Sequence, residues 1–370
     1  MQRTTPVYPH LLYADFIRSY SIIAIVVMHV ATRIVEAYMM TDRFDWWVAN
    51  IIVSNCRWGV PCFVILSGAL LLDPSKTESA STFYIKRLQR IGIPVVFWFI
   101  VYFFWLHIWY HKTIDLRFIL KTTVYWGPFY HLYFLYIIIF LYLITPLVRL
   151  FIKSGSPRIL KNVCSFLLCI GCINAAVFCL KDYISIPFAI PIEFLFLCSL
   201  VGYLGYFITG YILNRIVVWC SAIGRLILAY ASGMMVTAMG TYLFMKRFGP
   251  DTLSLFWYDY FSPPSIIMSF CIFLMVREWY SKKVLLQKNK KIYQWVSDVF
   301  SPATFGIFLV HPIFLDIVEN VFPISESQNS YAVNVTQWVR IPLITIMVIA
   351  LSLVTTTFLR KIPYVNKVVG

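Results

Sequence analysis

The chain has 370 residues, 60% hydrophobic and 13% charged, with a mean hydropathy of +0.77 and a formal net charge of +15. That apolar content lies far outside the range of soluble domains and reads as a polytopic membrane protein. The Lys and Arg excess is a topology signal; a nucleic-acid partner, which would need a basic soluble face, is not expected.

Apolar runs of about twenty residues recur between polar, Pro-containing or basic breaks, each long enough to cross a bilayer as a helix. Ten spans are predicted, at 12–33, 46–72, 91–110, 130–151, 162–180, 190–213, 226–245, 256–276, 300–321 and 337–359. The fold class is all-α, and residues 1–370 read as a single membrane domain without internal repeats. Asp15 and Arg18 interrupt the first apolar run and no small-residue cleavage site follows, so the first span is expected to be retained. With the N-terminus inside, 20 of the 31 Lys and Arg fall in cytoplasmic segments and 9 in external ones, leaving Arg18 and Arg57 within spans. Both termini are therefore expected in the cytoplasm. The lysine-rich connection 277–299 would lie against anionic inner-leaflet lipid, or simply be a solvated loop.

The first span carries Arg18 and His29, eleven residues apart. At 3.6 residues per turn they project from nearly the same face, separated by roughly 16 Å along the axis. A cation and an imidazole are costly in hydrocarbon unless they have a task; the alternative is that both reach the headgroup layers at the two ends. Asp15, one turn before Arg18, is placed to neutralise it, while Glu36, beyond Arg33, or another carboxylate could orient the His29 ring.

Arg57 lies midway through the second span, where burial calls for a carboxylate, a carbonyl or a ligand anion. Lys86, Arg87 and Arg90 open the third span as a compact cationic patch. Guanidinium groups recognise phosphate bidentately, so the patch suits a nucleotide-type donor such as a coenzyme A ester; docking on lipid phosphates explains the charge equally well. His131, in FYHLYFLY, stands near the start of the fourth span, and His311 lies inside the ninth, followed by Pro312, which loosens the local helical hydrogen bonding. A lone intramembrane His is more often scaffold than catalyst, but three of them with Arg18 and Arg57 favour an occupied polar cavity.

Nine cysteines fall mainly within spans, where thiols act as small hydrophobes, and the single C-x-x-C pair, Cys169 and Cys172, does not make a metal or redox site. No metal is expected. Aromatic residues gather near the external ends (Trp46, Trp47, Trp105, Trp109, Trp126, Tyr130, Trp257, Tyr258 and Tyr260) and read as an interfacial belt, although aromatic faces also stack on sugar rings. Soluble-enzyme signatures such as G-x-S-x-G, H-E-x-x-H and the Walker loop are missing.

Taken together, these motifs resemble acyltransferase family 3, integral-membrane enzymes that modify bacterial surface polysaccharides and other extracytoplasmic acceptors. The matching elements are Arg-x10-His as Arg18 and His29, preceded by Asp15; Pro-x-Phe-x-x-x-Ser-Gly as Pro61, Phe63, Ser67 and Gly68; and Arg-x-x-Arg as Arg87 and Arg90. His131-Leu132-Tyr133-Phe134 and Ile307-Phe308-Leu309-x-His311 complete the series. Tyr133 stands where Trp is frequent, and Phe308 where Tyr is frequent.

The resemblance implies a multi-pass protein of the bacterial cytoplasmic (inner) membrane that transfers an acyl group, most often acetyl from acetyl-CoA, to a hydroxyl of an extracytoplasmic glycan or lipid-linked sugar. Lys86, Arg87, Arg90 and Arg57 would hold the acyl-CoA, with Arg18 continuing the cationic lining. His29 would act as general base or transient acyl carrier, and His131, His311, Tyr130 and Glu36 would position the acceptor. The rival reading is a transporter of lipid-linked or polymeric glycan, for which buried charges and midplane histidines are equally reasonable.

Overall fold

The computed structural model describes residues 9–37, 44–73, 75, 78–125, 127–181, 191–219, 222–249, 252–281, 290–322 and 337–369. Among them there is no strand, and ten helical stretches are long and apolar enough to cross a membrane, in the order read from the sequence. They are built from α1 (Pro9–Ala37), α2 (Phe44–Cys56) with α3 (Gly59–Leu71), α4 (Ala80–Arg87) with α5 (Ile93–Tyr110), α7 (Tyr133–Ser154), α8 (Pro157–Leu180), α9 (Ile192–Leu213), α10 (Ile223–Phe248), α11 (Pro263–Ser281), α12 (Lys290–Trp295) with α13 (Ser301–Val321), and α14 (Gln337–Leu359). A shorter helix, α6 (Leu116–Tyr125), lies between α5 and α7.

Among the described residues the eighth span, Leu253–Tyr280, opens with the short helix Thr252–Tyr258 before the chain turns into α11, and three other spans are interrupted where a proline must disturb the helix. Pro61 lacks an N–H and crowds the carbonyl four residues back, that of Arg57, and the chain turns at Arg57–Trp58 between α2 and α3. Pro94 acts likewise on Arg90, where Leu88–Gly92 forms a π turn, and Pro302 on Asp298, within the π turn Val296–Phe300. These joints lengthen two spans beyond their predicted limits. The third begins at Ala80 rather than 91, because Ser79 caps α4 by accepting the Thr82 amide, and the ninth begins at Lys291 rather than 300. The predicted connection 277–299 is correspondingly shorter: α11 runs to Ser281 and α12 starts at Lys290, with 282–289 outside the described residues.

Helix α1 is the hub, packing against α2, α3, α11, α13, α14 and the Val296–Phe300 turn. Its flank is built by α3 and α9, which approach at backbone distance: a Cβ on Gly68 would lie 1.7 Å from the Phe207 carbonyl oxygen, and one on Gly210 1.8 Å from that of Ile65. Both ends of the described chain meet at one end of the bundle, where Arg18 and Arg90 share a cavity and Arg90 also faces Arg360 and Lys367. Two basic residues counted above as loop charges are buried there as caps. Arg149 Nε donates to the Leu71 carbonyl at 2.8 Å, and Arg277 donates to the carbonyls of Leu213 and Ile216. A guanidinium satisfies carbonyls that a helix end leaves without partners and complements the negative end of the dipole.

Overpacking at the α3–α9 contact gives a direct test: Gly68→Ala should cost about 1–3 kcal/mol or more, seen as a lower thermal midpoint in detergent, and an unchanged midpoint would contradict the close approach.

Candidate active site

The histidines that sequence places in three different spans converge. His29 on α1 and His311 on α13 stack at 5.1 Å between ring centroids, with His29 Nδ1 and His311 Nε2 2.9 Å apart. The tautomers follow from the partners. His311 Nδ1 lies 2.8 Å from the Phe308 carbonyl and 3.1 Å from that of Ile307, and carbonyls only accept, so this nitrogen carries the proton. Its Nε2 then holds a lone pair that accepts from His29 Nδ1–H, leaving His29 Nε2 as a basic lone pair. Pro312 supplies the reason: in a regular helix the residue 312 amide would donate to the Phe308 carbonyl, and proline has none.

His131 is 2% exposed and packs behind this pair, its ring centroid 5.5 Å from that of His311, 5.1 Å from Phe308 and 4.9 Å from Tyr102. Tyr130 meets His29 edge-on at 4.9 Å. Glu36 is exposed, and the His29 ring nitrogen that sequence reasoning offered to it is met by His311 instead.

One helical turn beyond His29, Arg33 reaches α13: Nη2 lies 3.2 Å from Asp316 and Nε 3.7 Å from Glu319. Asp316, 4% exposed, also accepts from Trp105 Nε1 at 2.8 Å and Tyr110 Oη at 3.0 Å. This cluster closes the site on the side away from Arg18. Sequence reasoning missed it, since Asp316 and Glu319 look like ordinary polar residues at the end of a span; their spacing of three, on one helical face, was the available signal.

In the opposite direction, Asp15, Arg18, Arg87 and Arg90 line one cavity of about 360 Å³. Arg18 Nη1 pairs with Asp15 Oδ1 at 3.1 Å, and Ser301 and Ser297 donate to the same carboxylate at 2.6 and 3.1 Å, so Asp15 is held by α13 and its preceding π turn. Arg87 is braced over the rings of Phe83 and Tyr142, at 5.1 and 5.4 Å. The cavity's lining continues through Phe63, Ser67 and Phe134 to Phe308, the residue whose carbonyl holds His311. Phe63 and Ser67 of the second-span motif thus line the cavity, while Gly68 admits α9. Lys86 stands outside, pairing with Glu78 at 3.2 Å; it shares with Arg90, Arg360 and Lys367 a wider groove of about 660 Å³. The Glu78 carboxyl, hydrogen-bonded to Lys86, is held below its usual range.

Arg57 does not line the arginine cavity. At the α2–α3 turn its Nη1 lies 3.4 Å from Met28 Sδ, its guanidinium faces the rings of Tyr258 and Tyr260 at 4.6 and 5.6 Å, and its buried Nε has no hydrogen-bond partner. Met28, which it touches, is the residue before His29. Tyr258 and Tyr260, read from sequence as belt residues, are therefore internal; Trp126 lies outside the described residues.

The acyltransferase family 3 model, described as an acyltransferase domain, matches residues 11–357, which takes in the histidine cluster and the arginine cavity but not Arg360 and Lys367 of the outer groove. No curated protein and no solved structure matches the chain. Asp316 should be the stability hinge of the site: Asp316→Ala leaves Arg33, Trp105 and Tyr110 without their acceptor and should cost about 3 kcal/mol, read as a fall in thermal midpoint, whereas a variant as stable as the parent would show the cluster to be dispensable.

Proposed function

The chain belongs to acyltransferase family 3, and on that premise we propose that this membrane acyltransferase moves an acetyl group from cytoplasmic acetyl-CoA to a hydroxyl of an extracytoplasmic surface glycan or lipid-linked sugar in the bacterial inner membrane. The observation that carries the reading is one cavity with Arg18, Arg87 and Arg90 at its basic end and Phe308, the anchor of the histidine pair, at its deep end.

Arg87 and Arg90 bind the phosphates of the donor, a role that planar, permanently charged guanidinium groups fill well. Lys86, Arg360 and Lys367 extend the same positive surface around Arg90. Arg18, balanced by Asp15, lines the path taken by the pantetheine arm, so the thioester arrives beside His29.

His29 Nε2 takes the proton of the acceptor hydroxyl as its oxygen attacks the thioester carbonyl. Arg57 stabilises the oxyanion that forms, being a guanidinium in contact with Met28, the residue before His29, with a buried N–H that makes no hydrogen bond. Collapse breaks the carbon–sulfur bond, the new ester leaves with the sugar, and the proton on His29 passes to the departing thiolate. His311 holds the base in its productive tautomer throughout and, with His131 behind it, fixes the ring.

His29→Ala should lower transfer by about 10²–10⁴-fold while leaving acetyl-CoA affinity intact; normal turnover by the folded variant removes His29 from the mechanism. Arg87→Ala with Arg90→Ala should instead raise KM for acetyl-CoA by roughly tenfold or more, and acetyl-CoA should protect both arginines from chemical labelling.

The tautomer argument has its own test. Pro312→Ala returns an amide to the Phe308 carbonyl, so the His311 Nδ1–H loses its best acceptor. Transfer should fall by about tenfold, the worth of one such hydrogen bond, at unchanged or higher thermal stability; unchanged transfer would sink the argument.

A further inference from the structure

A second cavity, of about 230 Å³, lies on the other face of α7. Consecutive α7 residues divide between the two spaces: Phe134 and Ile138 line the arginine cavity, and Tyr133 and Ile137 line this one. Its remaining polar lining comes from Asn174 of α8, Ser199 and Tyr203 of α9, and Asp259 and Tyr260 from the segment before α11.

The lining has the chemistry of a polyhydroxylated ring site. Asp259 Oδ1 accepts the Phe261 amide at 2.7 Å, which fixes the carboxylate and leaves Oδ2 for a ligand hydroxyl. Asn174 Nδ2 donates to Ser199 Oγ at 2.9 Å, which leaves the amide oxygen as a second acceptor. Tyr133, Tyr203 and Tyr260 add three phenol side chains to the lining. A lipid chain would meet a carboxylate here, and a metal cation would find a single carboxylate in the lining. The volume falls below the roughly 300–1,000 Å³ of drug-sized sites and suits a single ring.

The cavity also adjoins the chemistry. Arg57 faces the Tyr260 ring at 5.6 Å, and its Nη1 lies 3.4 Å from Sδ of Met28, the residue before His29. Tyr260 Oη also touches Met28, the residue before His29, at 3.8 Å. Arg57 is thus the link between the second cavity and the base.

We infer that this second cavity is the subsite for the sugar ring of the acceptor, with Asp259 and Asn174 as its hydroxyl-binding groups and Tyr133, Tyr203 and Tyr260 as its walls. The inference rests on the acyl-transfer reading above. Tyr133 makes the wall hydroxyl-bearing and so helps set which sugar fits.

The test expresses Asp259→Asn and Ser199→Leu separately in the host, weighs the host's own surface glycan by mass spectrometry, and measures acetyl-CoA binding by each purified protein. Each variant should lower the acyl mass on the glycan by roughly tenfold or more, with acetyl-CoA affinity unchanged. Full acylation by either variant would overturn the subsite. Should Asp259→Asn fail to accumulate, Ser199→Leu, which fills the cavity without removing a charge, decides alone. If the parent protein binds no acetyl-CoA and its deletion removes no acyl mass, the transfer reading itself falls, and the subsite with it.

Discussion

One hydrogen bond organises the centre of this molecule, that between His29 and His311, 282 residues apart in sequence. It has a cause that can be followed backward. Pro312 cannot donate to the Phe308 carbonyl, that carbonyl takes the His311 Nδ1 proton, and the His311 Nε2 lone pair is thereby committed to His29. The base is oriented by a neutral imidazole rather than by the carboxylate that commonly fills such a position. In an apolar interior this choice avoids burying an anion beside the base, and it reserves the nearby carboxylates for Arg33.

The same low dielectric explains how the other charges are arranged. Arg18 has Asp15, itself steadied by two serines; Arg33 has Asp316 and Glu319; Arg149 and Arg277 spend their donors on helix-end carbonyls. Each of these cations has a carboxylate or a fixed carbonyl as partner, although Arg149 Nη2, 3.7 Å from Glu78, makes no hydrogen bond. Arg57 departs from the pattern. Aromatic faces and a thioether surround it, no carboxylate pairs with it among the described residues, and its Nε lacks a hydrogen bond. A cation held this way retains capacity for charge that appears only during a reaction, which is what an oxyanion site needs.

Much of this was legible in the sequence, for identifiable reasons. Hydropathy registers every span, since crossing a bilayer requires about twenty apolar residues whatever the tertiary packing. Helical spacing put Arg18 and His29 on one stripe, and Arg87 and Arg90 within one patch. Sequence could not pair His29 with His311, because residues that meet across spans carry no mutual spacing. Nor could it separate Tyr258 and Tyr260 from a lipid-facing belt, as an aromatic residue at a span end serves either environment. Arg57 was recognisable as costly, but its neighbours come from two distant segments, that of Met28 and that of Tyr258 and Tyr260. The interrupted helices were partly readable: Pro61, Pro94 and Pro302 each follow their break within four residues, yet whether a proline yields a turn, a kink or a π segment depends on what packs beside it.

The division of labour along α7 constrains what passes between the two cavities. Phe134 and Tyr133 are neighbours on one helix, yet they face the arginine-lined space and the Asp259-lined space respectively. In the proposed reaction a bulky nucleotide at Arg87 and Arg90 has no reason to pass that wall, and neither does a sugar beyond it. Only the acyl carbon would have to be reached from both sides, beside His29 and the guanidinium that touches its neighbour Met28. On the proposed reading the membrane barrier is therefore never opened to either substrate as a whole. One thioester and one hydroxyl would then reach opposite sides of a common base, and the interior that makes buried charges costly would also keep water from competing for the thioester.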